Sequence, residues 1–134
     1  MELNSNEYNP YYDLYLSKCP YSNIEIGLEE SASNFISFLK AIPEDKFNFK
    51  YAFDKWTLKE VLIHIIDTER IFAYRALRIA RRDLTPLPGF DQDEYVKPSN
   101  AVQRTMTSII EEFETVRHAT SSLFKSFGAD DLMQ

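Results

Sequence analysis

Apolar residues recur at helical spacing in three long segments of this chain. In the first, Ile24, Leu28, Ala32, Phe35, Leu39 and Ile42 step by three or four until Pro43 stops them. Ser22 followed by Glu25 predicts a capping box at its start. The second segment, Thr57 to Arg82, is the longest and is free of Pro and Gly. Leu58, Val61, Leu62, Ile65, Phe72, Ala73, Ala76 and Ala80 give it a broad apolar stripe. Thr57 reads as its N-cap, Glu60 closes a capping box, and Trp56 can staple onto Val61. A helix of that extent runs about 39 Å. In the third segment, Val102, Met106, Ile109, Phe113, Val116, Thr120, Leu123 and Phe127 alternate steps of four and three, the pattern of a bundle seam. Ser99 is its expected N-cap and Gly128 its expected C′ residue.

The stretches between follow other rules. Residues 1–21 hold Tyr8, Tyr11, Tyr12, Tyr15 and Tyr21 with Pro10 and Pro20, which predicts an ordered arm across the bundle rather than a helix. In residues 43–56, Phe47, Phe49, Tyr51 and Phe53 alternate with no partner strand in view, so an irregular loop with buried aromatic side chains is expected. Residues 83–98 contain Pro86, Pro88, Gly89 and Pro98 and are read as a connection without a helix. Extended, that connection reaches about 53 Å. The third helix could therefore begin near the start of the second and run parallel to it. The fold class is all-α, in one domain over residues 1–134.

Composition narrows the function. The net charge of −6 argues against a protein that wraps nucleic acid. Arg70, Arg75, Arg78, Arg81 and Arg82 are a local exception. They either offset the end of a helix or form a subsite for an anion, with Arg75 and Arg78 the substrate-binding candidates. Cys19 is the single cysteine, which excludes an internal disulfide. No apolar run is long enough to span a membrane and no signal peptide opens the chain, so the cytoplasm is the default.

Two residues of the second segment stand out chemically. His64 lies roughly a third of a turn from the centre of the apolar stripe. Glu60 and Asp67 are spaced to orient its ring, either for a metal or in a plain hydrogen bond. Glu69 falls near the stripe's centre, where a carboxylate needs a tyrosine of the arm or an arginine as cover. With such cover, Glu69→Gln should cost little and deletion of residues 1–15 more. His118 is expected on the surface beside Glu114. Asp91 and Asp93 could cap turns or approach the end of the bundle.

The residues KWTLKEVLIHIIDTERIFAYRALRIARRDLTPLPGFDQDEYV, 55–96, resemble the damage-inducible DinB-like family, as do YNPYYDLYL and EEFETVRHAT. The Trp-Thr cap, the His-x-x-Asp-x-Glu-Arg helix and the Pro-Gly-Phe-Asp loop carry the likeness, in that order. It implies a four-helix bundle of up-down-down-up topology, with the fourth helix missing from this chain and the domain incomplete at its C-terminus. It also implies a divalent metal, zinc or nickel, held by three histidines. His64 matches the first, and the His-x-x-x-His pair of the fourth helix has no counterpart here. The implied activity is metal-dependent hydrolysis or thiol-dependent transfer on a small molecule. The alternative is a non-catalytic helical module that forms a homodimer through its exposed apolar seam.

Overall fold

The structure, a computed structural model, describes residues 7–132. Among these residues it contains five α-helices: α1 (Asp13–Leu16), α2 (Ile24–Lys40), α3 (Leu58–Ala80), α4 (Gln92–Val96) and α5 (Met106–Lys125). Short 3₁₀ turns cover Pro10–Tyr12, Glu44–Lys46 and Ala101–Gln103. The all-α class is as expected. The four-helix bundle of up-down-down-up topology with one helix missing is not what is found, because two of the five helices lie in stretches read as helix-free. Pro10 sits at the start of its turn, where a missing N–H costs nothing, and α1 follows directly. Farther on, Asp91 caps α4 by accepting from the N–H groups of Asp93 and Glu94, and the helix ends before Pro98.

Local chemistry sets the ends of the long helices. Thr57 Oγ1 accepts from the Glu60 N–H, and the Glu60 carboxylate accepts from the Thr57 N–H at 2.7 Å, the reciprocal box that the sequence announces. The starts of α2 and α5 differ from expectation. Asn23, not Ser22, caps α2 by accepting from Ile26 N–H. Thr105, not Ser99, caps α5, because Asn100 turns left-handed at φ 55° and a 3₁₀ turn intervenes. Gly128 is not a left-handed C′ residue, since no glycine has positive φ; its N–H instead donates to Asp131 Oδ2. Beyond α3, Arg82 adopts φ 56°, and the Asp83 and Arg82 N–H groups donate to the Arg78 and Ile79 carbonyls, a Schellman ending with arginine where glycine is usual.

The core forms where α3 and α2 both pack against α5. Leu39, Leu62, Ile63, Ile66, Ile109, Phe113 and Val116 fill it, and Leu39, Ile66 and Ile109 are each only 1% exposed. Full burial of each such side chain contributes about 1.5–3 kcal/mol. The seam of α5 is thus as expected, except that Val102 precedes the helix and is exposed. The stripe of α3 is wider than its neighbours cover. Leu62 and Ile66 turn inward, while Val61, Phe72 and Ile79 form an exposed strip at 37%, 51% and 44%.

The aromatic segments also depart from expectation. Tyr11, Tyr12 and Tyr15 pack edge-on and tilted against one another but stay exposed, so the arm does not bury them across the bundle. Tyr21 approaches α2 closely at Gly27, where an added Cβ would come 3.0 Å from the tyrosine Cβ. In the 43–56 loop, Phe47 is half-buried and packs on the core, whereas Phe49, Tyr51 and Phe53 are exposed. No helix among the described residues is long and apolar enough to cross a membrane.

Candidate functional site

His64 is half-buried on the second turn of α3 and flanks the exposed strip. Its ring is tilted against Trp56, with centroids 5.0 Å apart. Trp56 therefore serves as a rest for the imidazole. Nδ1 lies 3.5 Å from Thr68 Oγ1, at the outer limit of a hydrogen bond. The ring is positioned more by packing than by polar contacts.

The residues expected around it are occupied elsewhere. Glu60 Oε2 accepts from both the N–H and the hydroxyl of Thr57, with Lys50 Nζ at 3.7 Å. Burial alone would raise the Glu60 pKa, but those hydrogen bonds and the lysine charge together hold it below the usual value. Asp67 pairs with Arg70 at 3.2 Å. Neither carboxylate is hydrogen-bonded to His64.

The two arginines hold the connection that follows α3. Arg78 is buried, donates to Asp83 Oδ2 at 2.7 Å and to the Thr85 carbonyl at 2.6 Å, and lies over the Tyr74 ring. Its guanidinium, with the Thr85 N–H, keeps the Asp83 carboxyl far below the ordinary range. Arg75 donates to the Pro88 carbonyl at 2.8 Å and lies over Phe72. Helix-end anchoring accounts for both. His118 is exposed, as expected, and Asp91 is spent as the cap of α4.

Arg117 is the residue that sequence reasoning missed. From α5 it grips Glu69 of α3 with two bonds of 2.8 Å and donates to the Leu28 carbonyl and Ser31 Oγ of α2. The oddly placed carboxylate is thus covered by an arginine, and one guanidinium ties the three long helices together. The available signal was Arg117's place beside Val116 on the inward half of α5. A second node, Glu112, takes both Arg70 and Arg104.

Among the described residues, no group of three or more His, Cys, Asp and Glu side chains is placed to hold a metal ion. Only one imidazole stands at the expected position, and a zinc site takes about three or four protein donors. The described donors do not make a metal site.

The fold and this arrangement define an all-α domain with one histidine presented beside an uncovered apolar strip. The chain belongs to the DinB superfamily, whose model matches residues 27–134. No curated protein and no solved structure matches it.

Proposed function

We propose that the domain belongs to a divalent-metal-dependent enzyme that works in the cytoplasm on a small molecule, by hydrolysis or thiol-dependent transfer, with His64 as one metal donor. The supporting observation is the state of that imidazole. It is fixed by Trp56, only weakly engaged by Thr68, and set at the edge of the exposed strip. The remaining donors are not among the described residues, so no catalytic step is assigned to the metal. The test is elemental analysis of protein purified from its own cells without chelator. About one divalent metal per chain, lost in His64→Ala, supports the reading. Metal-free protein, with His64→Ala unchanged in activity and stability, overturns it.

The exposed strip favours a second reading. Val61, Phe72 and Ile79 are uncharged, so the strip suits burial against a copy of itself in a two-fold, non-catalytic homodimer. Sedimentation showing a dimer that Phe72→Glu dissociates supports it. A monomer at all concentrations removes it.

A further inference from the structure

We propose that the groove between the 49–56 loop, the start of α3 and α4 binds an organic ammonium ion with an apolar body. The groove has a volume of about 680 Å³, the size of a small-molecule site. Its walls are the rings of Phe49, Tyr51 and Trp56, and its charged groups are Asp54, Asp93 and Lys55. Two observations select a cation.

The first is the aromatic wall. Phe49 is 57% and Tyr51 75% exposed, so their rings are open to a ligand. Aromatic faces carry negative potential and attract cations. Phe49 already does so: the Lys46 ammonium lies 5.8 Å over its ring.

The second is the charge balance. Two carboxylates and one ammonium line the groove, and the Lys46 ammonium lies beside it over Phe49. The side chains of Asp54 and Lys55 make no hydrogen bond or ion pair with any described residue. An anion would meet two carboxylates, with Lys55 in the same groove and Lys97 acting on Asp93, and a neutral molecule would gain apolar contact alone. An ammonium on a hydrophobic body uses both features.

The groove adjoins the candidate metal donor, because Trp56 lines the one and rests on the other. Calling the bound molecule a substrate rests on the preceding proposal; the binding itself does not.

Trp56 is the only tryptophan, so its fluorescence reports the groove directly. The experiment titrates phenethylammonium, neutral 2-phenylethanol and anionic phenylacetate into the protein in the presence of chelator. Saturable binding of the ammonium, about fivefold tighter than the alcohol, with phenylacetate weakest, is the expected order. The double variant Asp54→Asn, Asp93→Asn should erase that preference, and Tyr51→Ala should weaken ammonium binding. Both alter exposed side chains. Absent saturation, equal affinity for ammonium and alcohol, a preference for phenylacetate, or a preference that survives the double variant would each overturn the proposal. Because chelator is present throughout, this outcome is separate from the metal analysis.

Discussion

The Glu69–Arg117 pair offers the most demanding check on the fold. The two side chains are only 11% and 15% exposed, and two N–H···O bonds of 2.8 Å join them in a fork. Deleting one partner leaves a desolvated charge with no counterion, which costs about 3–5 kcal/mol. Here the lower half of that range applies to Glu69→Leu, because Arg117 keeps the Leu28 carbonyl and Ser31 Oγ. Glu69→Gln retains one acceptor oxygen but loses the charge, so about 2–3 kcal/mol is expected, the scale of one charge-assisted bond. Removing both charges, in Glu69→Leu with Arg117→Met, should recover part of the Glu69→Leu loss, since burying an apolar pair of similar volume is often neutral. It should stay about 1–2 kcal/mol short of wild type, because the bonds to the Leu28 carbonyl and Ser31 Oγ go as well.

Urea unfolding followed by far-UV circular dichroism at neutral pH measures all four proteins. The sequence alone suggests the opposite ranking, with Glu69→Gln mild and loss of the N-terminal arm severe. The structure reverses it, because the carboxylate's partner is on α5 while Tyr11, Tyr12 and Tyr15 of the arm stay exposed. The reasoning is refuted if Glu69→Leu lies within about 1 kcal/mol of wild type, or if the double variant is no more stable than Glu69→Leu.

Further outcomes follow from other positions. Arg82→Gly should stabilise the protein by about 0.5–1 kcal/mol, because a residue at φ 56° in the Schellman ending carries a Cβ penalty that glycine lacks; a fall in the urea midpoint would contradict this. Glu112 should make stability sensitive to acid. Burial raises its pKa, but the hydrogen bonds and charges of Arg104 and Arg70 outweigh that and leave it lowered. A folded pKa below the unfolded one means that the contribution is present above the unfolded value, about 4.3, and is lost as the pH falls through the folded one. Glu112→Gln should therefore flatten the acid limb of the stability curve, and an unchanged slope below that pH would tell against the double ion pair. Gly27→Ala should lower the melting temperature despite alanine's helix advantage of about 1 kcal/mol, since its Cβ would crowd Tyr21 at 3.0 Å.

What the sequence discloses divides by the range of the interaction. The box of Thr57 and Glu60 was legible because both partners lie within one turn, and the inward seam of α5 because periodicity names a face. Periodicity does not name what covers that face. It therefore merged two parts of α3 that the structure separates, the packed Leu62 and Ile66 and the exposed Val61 and Phe72. Glu69 was legible as an anomaly, but its partner was not, because choosing Arg117 requires knowing how α5 is rotated against α3. The same limit explains the 47–53 loop. Alternation there implied burial, but a connecting loop has to keep its unpaired backbone groups near water, and the rings of Phe49 and Tyr51 remain outside with it. His64 sits at this boundary between local and distant information. Its helix, its turn and its tryptophan rest are written within nine residues of chain. Any donor that shares a metal with it must be brought by a distant element, and helix periodicity around position 64 carries no information about that element.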